Sequence, residues 1–317
     1  MNIRTAAFAA LIAGHAGAAA AQGDLPPLVA PSELVELMEQ GEPLILDIRA
    51  PGKPGDAATY AGGHIEGAVN APYALFRGPA ENPGQLPSDD QLTEVLRSLG
   101  VTADRPTVIV YQGANESDFG ASARVYWTLK SSGVSSLAIL NGGIGAWTAA
   151  KLPLDRANVT PVRSTIEVMF SDEWLATEED VLAVVEGRAM ATLVDARPES
   201  FWAGRAAHAE AAKPGTLPQS EFFTHSNWFS GGPAIVDATA ARALAREAGY
   251  ADDDALISFC NTGHWAATNW FALSELAGID NVRLYPESMV GWSNAGHEMA
   301  NVPGPLRRVW QQITDVF

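Results

Sequence analysis

Residues 255–271 hold the single cysteine of the chain in a setting that suits reactive sulfur. Ala255-Leu256-Ile257-Ser258-Phe259 is an apolar run, Cys260 follows it, Asn261-Thr262-Gly263-His264 is a short polar turn, and Trp265 to Phe271 has a helical pattern. A buried strand therefore delivers Cys260 to a tight loop that becomes the first turn of a helix. The N–H groups of such a loop have no intrahelical partners, and together with the helix dipole they favour an anion at the loop centre. A thiolate is such an anion. Cys260 is expected to act as a nucleophile, or to carry a persulfide held among the amides of Asn261, Thr262, Gly263, His264 and Trp265. The competing reading is a small buried hydrophobe. Its place at a strand-to-helix turn favours reactivity.

The elements around this loop come from a chain of 317 residues with 47% apolar content, enough for two ordinary domains. Met1-Asn2-Ile3-Arg4, an alanine-rich apolar run to Ala20 and then Ala21-Gln22 read as a secretory signal over residues 1–21, which predicts a periplasmic or secreted protein. One cysteine cannot pair within its own chain, so in that compartment Cys260 is a free thiol. With 37 acidic and 20 basic residues the net charge is −17, which argues against nucleic acid and anionic membranes as partners. The six histidines do not fall at ligand spacings with Cys260, so no metal and no cofactor are expected.

Strand and helix patterns alternate along the chain, which predicts an α/β fold with a mainly parallel sheet and helices on both faces. A helix over Pro31–Gln40 with Ser32 as its N-cap precedes the strand Leu44-Ile45-Leu46-Asp47-Ile48-Arg49. A helix from Asp89 to Leu99, the strand Thr107–Tyr111, a long polar loop, a helix through Trp127 and the strand Leu137–Leu140 follow. The same order then returns. Leu193-Val194-Asp195-Ala196-Arg197 repeats Leu46-Asp47-Ile48-Arg49, and Lys213-Pro214-Gly215-Thr216 takes the place of Gly63-His64-Ile65-Glu66-Gly67. Asp47 to Asp195 and Gln112 to Cys260 are both spaced by 148, and Trp147 to Trp292 by 145. The chain reads as a tandem duplication: a first domain over 24–150, a proline-bearing linker over 151–166, and a second domain over 167–317. Gln112 is the expected counterpart of Cys260, which leaves the first copy as a scaffold forming one wall of a cleft.

Taken together, Asp47-Ile48-Arg49, Gly63-His64-Ile65-Glu66-Gly67-Ala68-Val69-Asn70, Asp195-Ala196-Arg197 and Cys260-Asn261-Thr262-Gly263-His264-Trp265 resemble the two-domain rhodanese family of sulfurtransferases. The resemblance implies a ping-pong reaction in which Cys260 takes a sulfane sulfur from a small anionic donor such as thiosulfate and passes the persulfide sulfur to cyanide or another thiophile. It also implies that Asp195 and Arg197 are the family's strand-end pair. Arg197 is read first as structural and second as a donor contact, with Arg205 the nearest other guanidinium. His264, the loop's one basic side chain and partly charged near neutrality, would stabilise the thiolate or the departing sulfite, or else simply pack on Trp265.

Apart from His264 the loop lacks the basic residues of thiosulfate-preferring members, and it also lacks the Gly/Ser-rich Val-Thr turn of 3-mercaptopyruvate sulfurtransferases; thiosulfate is the expected donor and 3-mercaptopyruvate the alternative. A phosphatase of the strand-Cys-loop-helix type would need an arginine at the sixth position after the cysteine, where this chain has Ala266. A different class of function is a non-enzymatic persulfide carrier serving a protein acceptor. The expected state is a monomer.

Overall fold

The computed structural model describes residues 25–41 and 43–304, so the secretory segment read in Met1–Ala21 lies outside the described residues. The first domain runs β1 (Leu28–Val29), α1 (Pro31–Gln40), β2 (Leu44–Asp47), β3 (Val69–Asn70), α2 (Asp89–Ser98), β4 (Thr107–Val110), α3 (Phe119–Ser131), β5 (Leu137–Leu140) and α4 (Gly143–Ala149). Its five strands are all parallel in the order β1-β5-β4-β2-β3. β2, β4 and β5 are buried at every position because helices cover both faces, which is why they read as unbroken apolar runs.

The second domain repeats the plan with α5 (Glu178–Val185), β6 (Thr192–Asp195), α6 (Glu199–Trp202), β7 (Glu221–Phe222), α7 (Ala238–Glu247), β8 (Leu256–Phe259), α8 (Trp265–Trp270), β9 (Val282–Leu284) and α9 (Ser288–Asn294). Its parallel sheet has the order β7-β6-β8-β9, and Leu175 makes a parallel bridge to Leu284 where β1 lies in the first domain. The fold is the expected tandem α/β architecture. Between α4 and α5 the described chain has no helix and no strand. It runs along the first domain instead: Asp155 bridges His64, Arg97 Nε donates to the Ile166 carbonyl, and the Val168 N–H donates to Thr93 Oγ1.

Two local expectations change. The N-cap of α1 is Ala30, not Ser32: Pro31 sits in the first turn, where its missing N–H is harmless, and Glu33 accepts from the Ala30 N–H at 2.6 Å. The counterpart of Cys260 is Tyr111, not Gln112. Asp47 lies opposite Val110 and Asp195 opposite Phe259, so the residues that follow, Tyr111 and Cys260, are equivalent. The α4 and α9 contacts agree, since the Tyr111 carbonyl accepts from Ile144 and the Cys260 carbonyl from Met289. One extra residue between β6 and β8 breaks the constant spacing. Loops absorb such insertions at little cost.

The domains meet along α3 and α8, with a π-helical turn over Phe271–Leu276 continuing α8. Phe271 takes the rings of Tyr126 and Phe119 edge-on at 5.0 and 5.4 Å, and Glu275 accepts from Tyr126 and Lys130. This packing brings first-domain side chains to the cysteine loop.

Candidate active site in the Cys260 loop

Cys260 is 1% exposed at the end of β8. Its N–H donates to Ser288 Oγ at 2.9 Å, its carbonyl accepts from the Met289 N–H at 3.0 Å, and the Asn261 carbonyl accepts from the Val290 N–H at 3.0 Å. The loop is thus pinned to the start of α9. Ser288 holds a left-handed φ of 52°, a conformation unfavourable for a residue with a Cβ, and its hydroxyl donates to the Tyr285 carbonyl at 2.7 Å. Past Cys260 the amides of Asn261, Thr262, Gly263 and His264 donate to no protein acceptor among the described residues. Gly263, at φ 69°, closes the turn. Buried N–H groups without acceptors are rare, and here they follow the cysteine in succession.

Asn261 is held by the strand-end pair. Arg197 Nε and Nη2 grip the Asp195 carboxylate at 2.9 and 2.6 Å, Nη2 also donates to the Gly215 carbonyl at 2.9 Å, and Nη1 donates to Asn261 Oδ1 at 3.2 Å. Thr216 Oγ1 adds a bond to Asp195 at 2.7 Å. With its guanidinium bonded to Asp195, Gly215 and Asn261 and only 2% of the side chain exposed, Arg197 ties the loop to the end of β6. Arg49 and Asp47 repeat the grip in the first domain, with Nη1 turned to the Ala57 carbonyl. Arg205 is exposed and paired with Glu199. Phe201 lies under the Arg197 guanidinium and meets Trp265 edge-on, while His225 stacks on the Trp265 ring at 5.0 Å.

His264 is committed to the first domain. Nε2 lies 2.8 Å from the Ser117 carbonyl and Nδ1 lies 3.2 Å from Tyr73 Oη, which accepts from Arg77 Nη1 at 2.9 Å. A carbonyl can only accept, so the network assigns the proton to Nε2 and leaves Nδ1 to accept from Tyr73. Trp265 Nε1 donates to Ser117 Oγ at 2.8 Å. Gly120 allows this approach: a Cβ there would come 2.7 Å from the His264 carbonyl. Burial, then repulsion from Arg77, pushes the His264 pKa down to about 4 against the pull of the Ser117 carbonyl. The ring is therefore neutral near pH 7, in contrast to the partial cation expected, and both of its nitrogens are occupied.

The sign of the consequence follows from linkage. As pH falls through about 6.5 the unfolded chain takes up a proton at this histidine before the folded chain does, so stability present above that pH is lost towards pH 4, by up to about 3 kcal/mol. His225, also lowered by burial, adds in the same direction. Urea midpoints measured from pH 7.5 to 4.5 should fall, and the fall should be smaller in His264→Asn.

Arg124 and Arg77 were not singled out from the sequence. Arg124, on α3, is fully buried, with Nη2 donating to the Gly84 carbonyl at 3.0 Å and Nε and Nη1 without partners among the described residues. A Cβ on Gly263 would lie 2.4 Å from Arg124 Nη1, so the guanidinium rests directly against the cysteine loop. Burial and the nearby Arg77 lower the Arg124 pKa to about 9, while Tyr73, Cys260 and Glu287 oppose them. It remains a cation at pH 7. The clue in the sequence was an arginine within the apolar face Ala123-Arg124-Val125-Tyr126-Trp127.

In the first domain Tyr111 fills the place of the thiol and donates to the Pro233 carbonyl at 2.8 Å. A cavity of about 320 Å³ lies beside it, lined by Arg49, Tyr73, Gln112, Asp118 and His264. Among the described residues no group of three or more His, Cys, Asp or Glu could hold a metal ion, and no helix is long and apolar enough to cross a membrane.

The family model of the rhodanese-like domain matches residues 30–150 and again 177–295. The chain is 29% identical over 272 residues to the thiosulfate sulfurtransferase of Pseudomonas aeruginosa, covering 86% of this chain and 95% of that one. It is 28% identical over 274 residues to the 3-mercaptopyruvate sulfurtransferase of Escherichia coli K12, covering 82% and 92%. Among solved structures, SseA from Escherichia coli, a 3-mercaptopyruvate sulfurtransferase, superimposes with a TM-score of 0.70 at 26% identity, over 82% of this chain and 97% of that one.

Proposed function

We propose that this chain, which belongs to the rhodanese-like family through both of its domains, is a sulfurtransferase that moves sulfane sulfur from thiosulfate to cyanide or another thiophile through a persulfide on Cys260. The observation that carries the reading is the position of the only thiol, at the end of β8 beside four loop amides that have no protein acceptor. In the first half-reaction the Cys260 thiolate attacks the outer sulfur of thiosulfate. The S–S bond of the donor breaks, its electron pair leaves with sulfite, and Cys260 becomes a persulfide anion. In the second, cyanide attacks the terminal sulfur, thiocyanate leaves, and the thiolate returns. Charge balances in each step, and neither needs a proton from a side chain. The amides of Asn261 to His264 suit this chemistry because they serve the thiolate and the persulfide alike.

Neutral His264 gives no acid limb to the rate. Its tie to Ser117 and Tyr73 holds the loop against the first domain. Thiosulfate is favoured over 3-mercaptopyruvate because two guanidinium groups, Arg77 and Arg124, lie at the loop. The second donor keeps its place through the likeness to the Escherichia coli enzyme. Initial rates with thiosulfate, 3-mercaptopyruvate and glutathione persulfide, each with cyanide as acceptor, test the assignment. Thiosulfate should have the highest kcat/KM, and a mercaptopyruvate value about tenfold above it would assign the other donor. A chain that loads sulfur yet forms thiocyanate much more slowly than it passes sulfur to a protein thiol is a carrier rather than a small-molecule enzyme.

A further inference from the structure

We propose that Arg124, with Arg77 beside it, is the anion-holding part of the Cys260 site and is supplied by the domain that has no cysteine. The inference rests on the sulfur-transfer reading and adds to it the charge that selects the donor.

A guanidinium taken out of water is costly unless an anion and hydrogen-bond acceptors replace the water. Arg124 is fully buried, forms no salt bridge among the described residues and leaves two of its nitrogens without partners, in a chain of net charge −17. The Trp127 ring takes the guanidinium at 5.2 Å but brings no charge, and the other groups that face Arg124 are few. Tyr73 has its phenol pushed up by burial and stays neutral. Glu287 pulls on Arg124 but accepts a hydrogen bond from Asn82 at 2.7 Å. Arg77 repels Arg124, and His264 is neutral with both nitrogens bonded. Cys260 remains, near enough that a thiolate there would act on Arg124 and on Tyr73.

The reaction supplies the missing anion. When a thiolate meets thiosulfate three negative charges gather at one buried point, and after transfer they are shared between the persulfide and the departing sulfite. Two fixed cations offset most of that charge without rearranging. Arg124, against Gly263, is the cation on the cysteine loop itself, and half-buried Arg77, bonded through Tyr73 to His264, is the cation nearer the surface. The ligand class is therefore a dianionic sulfur oxyanion, ahead of a monocarboxylate or a neutral persulfide.

Cys260 is the only thiol, so its alkylation reports the local field directly. Rates with anionic iodoacetate and neutral iodoacetamide should be compared in the parent, Arg124→Gln, Arg124→Lys and Arg77→Gln. The iodoacetate-to-iodoacetamide ratio should fall about tenfold in Arg124→Gln and about threefold in Arg77→Gln, and should be largely kept in Arg124→Lys. An unchanged ratio in Arg124→Gln overturns the proposal. If that variant does not fold, an unchanged ratio in Arg77→Gln does so. Alkylation needs no sulfur donor, so a shifted ratio in a chain that never loads sulfur from thiosulfate would refute the transfer reading alone and leave the anion site standing.

Discussion

Cys260→Ser should fold as the parent does and lose thiocyanate formation to below about a thousandth of the parent rate. The substitution removes one polarisable atom and leaves the loop's anchors intact, because the bonds to Ser288, Met289 and Val290 all come from the backbone. The new hydroxyl is buried, but the unpaired loop amides offer it partners, so the stability change should stay near about 1 kcal/mol. What disappears is the chemistry. A hydroxyl is not ionised at neutral pH and does not accept a sulfane sulfur. No other thiol exists in the chain to take over.

Asp195→Ala should destabilise the second domain by about 3–5 kcal/mol, the usual cost of leaving a buried charge without its partner. The carboxylate takes both arms of Arg197 and the Thr216 hydroxyl, and its side chain is fully buried. Losing it frees Arg197 to shift, and Asn261 with it, so residual activity should fall beyond what the unfolded fraction explains. Replacing Arg197 by Met in the same chain should restore part of the stability but not the activity, since the charge is then gone while Asn261 still lacks its donor. Asp47→Ala offers the matched comparison. Its arginine grips Gly63 and Ala57 and does not touch the cysteine loop, so a similar loss of stability should leave kcat/KM of the folded fraction near the parent value. Urea denaturation and initial rates on the three variants separate the two effects.

The parts that could be read in advance were the local ones. Apolar runs ending in Asp-x-Arg announced β2 and β6, and Cys260 before a glycine-centred turn announced the strand-to-helix corner, because each depends on residues within a few positions. The tandem parallel-sheet plan was read correctly too, whereas particular side-chain contacts across the molecule were misread or missed. The thiol's counterpart is Tyr111 because strand register, not constant spacing, decides equivalence. His264 carries no charge because burial against the first domain, and then the cation of Arg77, distant in sequence, disfavour its protonated form. Arg124 reaches the loop because α3 packs along α8, and Arg77 is tied to it through Tyr73 and His264, contacts between domains that no short motif records.

The central claim is that Cys260 alone carries the transferred sulfur, and intact mass tests it most directly. After incubation with thiosulfate and removal of excess donor, the parent should gain one sulfur, about 32 Da, lose it on addition of cyanide with release of thiocyanate, and show no gain in Cys260→Ser. A gain that persists in Cys260→Ser, or a parent that gains nothing from thiosulfate, 3-mercaptopyruvate or glutathione persulfide, would contradict it.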